Sequence, residues 1–189
     1  MPRAPDLERR GQLLAALVDA IAEEGLGNRS LRQIADRLGT SHRMLIHHFG
    51  SREGMLVAVV QAVEARQAAV REGLAGPPAD VLERLWAGLS DPALRPLERL
   101  FFECYARGAN GEAPFAMLVP QAVTSWLEAE RARDPGGDPV LARLALAAVR
   151  GLLLDLVATG DAEATTAALR RFAGLLGGDG RDGTGTPPG

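Results

Sequence analysis

Lysine is missing altogether. All 21 basic side chains are arginine, a bias that in a chain rich in alanine and glycine reflects a GC-rich genome rather than a mechanism. Cysteine occurs once, at Cys104, so no internal disulfide can form and no thiol cluster exists to hold zinc. That excludes a disulfide-stapled small protein and points to a reducing compartment. Aromatic residues make up only 4%, and Val and Ile together number 15 against 32 Ala and 28 Leu. Strands favour β-branched and aromatic side chains whereas Ala and Leu head the helix order, so the composition argues against a β-barrel or sandwich and for an all-α protein. No run of basic, apolar and small residues marks a secretory leader, and the most apolar stretch, 140–159, is broken by Arg143, Arg150 and Asp155. A membrane is therefore not an expected partner, and a soluble cytoplasmic protein is expected. What is present is ample for a buried core: 189 residues, 47% of them apolar.

The formal net charge is only −3, but its distribution is uneven. Between Asn28 and Glu53 five arginines (Arg29, Arg32, Arg37, Arg43, Arg52) face two acids, and all three histidines lie there too. From Met55 onward 13 arginines meet 17 acids. A basic amino-terminal segment joined to an acidic remainder implies two jobs in one chain.

Hydrophobic spacing divides the chain into about nine helices. Asp6 is placed to cap a first helix that runs to Glu24 and stops at Gly25, with Leu14, Leu17, Val18 and Ile21 on one face. Ser30 and Gln33 form a capping box before Leu31, Ile34, Ala35 and Leu38, and Gly39 ends that helix. A third helix covers 42–48, and Ser51 caps a fourth that runs to about Glu72 before Gly73, Gly76, Pro77 and Pro78. Five more are expected at 79–90, 94–108, 115–132, 139–159 and 161–176. Residues 177–189, largely Gly and Pro, read as a disordered tail. Gly178 to Gly183 matches the dinucleotide-binding GxGxxG pattern, but it follows a helix instead of a strand and no helix follows it to hold a pyrophosphate. No hydrolase, metalloprotease or P-loop motif is present, so no enzyme, cofactor or metal site is expected.

Residues 31–49 are two short amphipathic helices joined by Gly39-Thr40-Ser41, the layout of a helix-turn-helix whose second helix enters the DNA major groove. On a helical wheel Leu45 shares a face with Ser41, His48 and Phe49, while Arg43 and His47 point away and Met44 and Ile46 flank them. A lone surface arginine is usually just solvated. In this setting bidentate contact with guanine is the better reading of Arg43. His47 is ambiguous. Met44 and Ile46 suit either packing or contact with thymine methyl groups, and His48, pointing inward, reads as a core-edge residue. His42, His47 and His48 fall on three sides of one helix, which makes a poor metal site.

The stretch Ser30 to Leu56, with Ile34-Ala35, Leu38-Gly39, Ser41, Leu45, His48-Phe49 and Ser51-Arg52-Glu53, resembles the DNA-binding signature of the TetR family of bacterial transcriptional regulators. The resemblance implies DNA contacts from Ser41, His42, Arg43, Met44, Ile46, His47, Ser51 and Arg52. It departs from the family at three positions: Ile46 stands where a phosphate-binding Tyr is usual, Arg52 where Lys is usual, and Arg43 where a small residue is frequent. It also implies a division into a DNA-binding domain at 1–54, a helical ligand-binding and dimerisation domain at 55–176 and the tail at 177–189.

Helix 139–159 is apolar nearly all round and so needs cover from its own domain and from a partner; a purely internal core helix is the other reading. Ala148, Gly151 and Leu152, with Leu169, Phe172 and Leu176 of the next helix, are the dimer candidates. Trp86, Phe101, Phe102, Tyr105 and Trp126 are the pocket candidates, most of them expected to be core and two or three to line a cavity for a hydrophobic effector. Arg150 and Asp155 are most simply a structural or interface pair. The function expected is a dimeric, ligand-responsive regulator, most simply a repressor, on palindromic double-stranded DNA. The alternative is a helical interaction or ligand-binding module with weak or lost DNA binding, and Ile46 is the residue on which the two divide.

Overall fold

Nine α-helices and no strand make up the described part of the chain, residues 4–24 and 29–178 of the computed structural model. They are α1 (Ala4–Glu24), α2 (Leu31–Arg37), α3 (His42–Phe49), α4 (Arg52–Glu72), α5 (Pro78–Leu89), α6 (Arg95–Ala109), α7 (Leu118–Arg133), α8 (Pro139–Thr159) and α9 (Ala162–Gly178). Single 3-10 turns, Pro92–Leu94 and Phe115–Met117, precede α6 and α7. No described helix is long and apolar enough to cross a membrane.

The starts follow from local chemistry. Ser30 and Gln33 make the full capping box, the Ser30 amide donating to Gln33 Oε1 at 2.8 Å and the Gln33 amide to Ser30 Oγ at 3.3 Å. Asp138 accepts from the Val140 amide at 2.7 Å, and Pro139 occupies the first helical position of α8, where its missing N–H costs nothing. One expected cap is not a cap: α1 begins at Ala4, so Asp6 lies inside its first turn, where a negative charge still complements the helix dipole. The expected stop at Gly25 and the tail beyond Gly178 lie outside the described residues; Gly177 and Gly178 themselves extend α9.

Packing sorts the chain into two groups. The first, Met1–Ala68 with Pro92–Glu128, buries one face of α1 (Leu13, Leu17, Ile21), Ile34, Leu45, and Met55, Leu56 and Val59 of α4, the last three wholly inaccessible. Leu97, Leu100 and Phe101 of α6 belong to the same cluster, and α6 packs on α1. Truncating one of these buried leucines to Ala typically costs about 2–5 kcal/mol. Packing thus joins residues 92–128 to the amino-terminal helices. The second group, Ala69–Asp91 with Ala129–Gly189, packs α9 against α5 and α8. Trp86 is buried there, and its indole N–H donates to Thr166 Oγ1 at 3.0 Å, which satisfies the one polar atom of that ring.

Candidate nucleic-acid interface

The turn between α2 and α3 closes tightly. Gly39 takes φ +60°, a left-handed conformation that glycine adopts without steric cost, and the Thr40 amide returns to the Ala35 carbonyl at 3.0 Å. Ser41 caps α3 by accepting from the Met44 amide at 3.2 Å, and Ser51 accepts from the Gly54 amide at 2.9 Å at the start of α4. Both hydroxyls named as DNA contacts are therefore engaged as acceptors, and each keeps its O–H to donate. At the far end of α3 the start of α4 passes so close that a Cβ on Gly54 would stand 2.3 Å from the Phe49 carbonyl oxygen. Only glycine fits there. The sequence reading did not single it out, and the contact is visible only in the fold.

Leu45 and Phe49 anchor α3 in the core, leaving His42, Arg43, Met44 and His47 exposed. Ile46 and Arg52 are half-buried, so Ile46 presents less apolar surface than the wheel alone implied. Arg43 makes no hydrogen bond or ion pair among the described residues and is available to a partner. Arg37, by contrast, is held by Glu23 of α1 at 3.0 Å. The side chain of His48 is 3% exposed, as its inward position on the wheel required.

Two residues outside the motif also hold α3. The Arg10 guanidinium of α1 lies 5.2 Å from the centre of the Phe49 ring and its Nε donates to the His48 carbonyl at 3.3 Å. Asp6, one turn earlier, places Oδ1 3.6 Å from His47 Nε2 and 3.5 Å from His48 Nδ1. The i, i+4 spacing of Asp6 and Arg10 puts both on one face of α1, but nothing in the sequence says that this face meets α3.

The family model of bacterial regulatory proteins of the tetR family matches residues 13–59, which span α1 to the first part of α4. The HTH-type transcriptional regulator BetI of Escherichia coli O127:H6 is 33% identical over 149 residues, covering 79% of this chain and 66% of that protein. The HTH-type transcriptional activator FasR of Mycolicibacterium smegmatis is 38% identical over 73 residues, 38% of this chain and 33% of that one. A solved transcriptional regulator from Rhodococcus sp. Rha1 superposes with a TM-score of 0.73 at 25% identity, covering 88% of this chain and 95% of its own. The chain belongs to the TetR family. It spans a third of FasR and about two thirds of the Escherichia coli BetI, so family membership is carried by the helix-turn-helix and by the helical fold.

Beyond the motif, this TetR-family chain places the remaining candidates unevenly. On α6 the Phe101 ring lies 5.2 Å from that of Phe102 and 5.6 Å from that of Tyr105. Phe101 is core, while Phe102 and Tyr105, and Trp126 on α7, are half-buried. Trp86 is core in the second group, not surface lining. Leu169 is wholly buried inside a single chain, so it cannot meet a partner; its place on the inner face of α9, packed towards α5 and α8, is the reason. Gly151 is exposed, and Ala148, Leu152, Phe172 and Leu176 are half-buried. Val140, Leu144, Leu154 and Leu175 are large apolar side chains exposed to between 49% and 72%, an apolar stripe on α8 and α9 that the single chain leaves uncovered.

Proposed function

We propose that this chain is a transcriptional regulator that binds operator DNA as a homodimer in the cytoplasm and is released by a small hydrophobic effector, acting as a repressor. The observation that carries the reading is the exposed face of α3: a capped eight-residue helix, anchored by Leu45 and Phe49, presents Arg43, Met44 and His47 outward. A helix so held can lie in a major groove with the arginine at base edges. Arg52, at the first position of α4, brings charge to a helix amino terminus, where free backbone N–H groups also favour a phosphate.

The dimer is supported by the uncovered stripe of α8 and α9. Its period of three to four residues and its small members, Ala147 and Gly151, suit a second copy of the same two helices packed close against them. For the effector, Phe102 and Tyr105 of α6 and Trp126 of α7 are the best lining residues. Because α6 packs on α1, and α1 holds the end of α3 through Arg10, a ligand that displaces α6 has a route to the recognition helix. The coupling must be reciprocal: an effector that lowers operator affinity binds less tightly, by the same factor, when operator is present.

Selection of bound DNA from a random pool tests the reading. The expected result is one palindromic sequence with half-sites about one helical turn apart or a multiple of it. Recovery of no preferred sequence would favour the alternative, a helical interaction or ligand-binding module.

A further inference from the structure

We propose that Asp6, His47 and His48 form a site for one divalent transition-metal ion of the zinc class, joining the first turn of α1 to the last turn of α3. Each of the three residues offers one donor atom, and the three atoms lie within 4.8 Å of one another. Asp6 Oδ1 is 3.6 Å from His47 Nε2 and 3.5 Å from His48 Nδ1. Those separations are too long for N–H···O hydrogen bonds, which run at about 2.7–3.2 Å. They are close to the edge of a tetrahedron, about 3.3–3.6 Å for metal bonds near 2.0–2.2 Å.

Neighbouring residues on a helix diverge by 100°, which is why spacing alone argues against pairing these histidines. Here they converge because they offer opposite nitrogens, the outer Nε2 of exposed His47 and the inner Nδ1 of His48. The third ligand comes from another helix, 41 residues away in sequence. His48 is preorganised: its side chain is 3% exposed and its Nε2 has no hydrogen-bond partner. Neutral imidazole is the form that binds metal, so metal binding by these histidines strengthens as pH rises.

Two imidazoles and one carboxylate are a donor set for zinc, nickel, cobalt or copper, and not for calcium or magnesium, which require oxygen-rich shells. Solvent reaches the cluster through Asp6 and His47, whose side chains are 41% and 60% exposed, so water completes the coordination. The single thiol, Cys104, is buried and is pushed up to about 12 by that burial and by Glu103.

The test is titration of the full-length chain with cobalt(II) chloride, followed by visible absorption and by competition with zinc chloride. One saturable ion per chain is expected, with the intense absorption of four- or five-coordinate cobalt, lost when zinc is added. Asp6→Asn and His47→Ala, both at accessible positions, are expected to weaken binding by about tenfold or more, while Glu8→Gln on the same turn leaves it unchanged. Thermal unfolding should shift upward with zinc in the wild type and not in Asp6→Asn, since an ion that binds only the native state stabilises it. A spectrum that stays that of the aqueous ion, or cobalt binding that both variants retain, overturns the site. Operator affinity measured with and without zinc separates this inference from the DNA-binding reading. If wild-type operator binding is unchanged at saturating zinc, the site stands and His47 is removed from the DNA contacts.

Discussion

Arg52 and Cys104 are single side chains whose environments set testable behaviour. Arg52 stands half-buried at the first position of α4, and the role proposed for its guanidinium is a phosphate contact. Arg52→Ala is therefore expected to weaken binding to all DNA sequences about equally and to lower the salt dependence by about one phosphate contact. Filter binding of selected and scrambled duplexes over a salt series checks this; an effect confined to the selected sequence contradicts it. Cys104 is wholly buried on α6, and burial, then Glu103, pushes its thiol up to about 12. In the unfolded chain a thiol ionises near the usual value of about 8.5. The contribution of this group to stability is thus intact below pH ~8.5 and is lost as pH rises from there towards 12. At pH 8 the native protein should resist alkylation that the unfolded protein accepts at once, measured by mass spectrometry with and without denaturant.

Helix α3 shows how much an element reveals of itself and how much it does not. Its start at Ser41, its buried Leu45 and Phe49 and its outward Arg43 and His47 were legible, because a cap and a 3.6-residue period are local properties. The capping box of α2 and the division into nine helices were legible for the same reason. What α3 rests on was not. Arg10, Asp6 and the bare Cα of Gly54 come from α1 and α4, and their roles depend on how three helices approach one another. The same limit placed Leu169 at an interface when packing against its own chain buries it completely. Gly54→Ala tests the approach of α4 to α3. The added methyl would overlap a backbone oxygen that cannot rotate away, so α3 must shift. A loss of about 1–3 kcal/mol in stability by denaturant melt is expected, together with loss of operator binding. Wild-type stability in this variant would show that α3 and α4 tolerate a looser joint.

At the scale of the whole molecule, the proposed dimer would cover the apolar stripe that a single chain leaves exposed on α8 and α9. Gly151 sits on that stripe, and a Cβ there would meet nothing within 4 Å inside one chain. Gly151→Arg should therefore leave the protomer folded, by circular dichroism, while turning the dimer into monomer in sedimentation and abolishing tight operator binding. A variant that stays dimeric would move the interface elsewhere. Base reading by α3 of each of two protomers is the core of the proposed function, and affinity on an operator panel measures it. Every base pair of the selected site is changed in turn, and wild type and Arg43→Ala are compared. Arg43→Ala is expected to lose about 1–3 kcal/mol at the intact site for each arginine–base contact removed. The variant is also expected to stop discriminating at one position in each half-site, the two related by the operator's symmetry. An Arg43→Ala profile that matches wild type at every position would contradict base reading by α3.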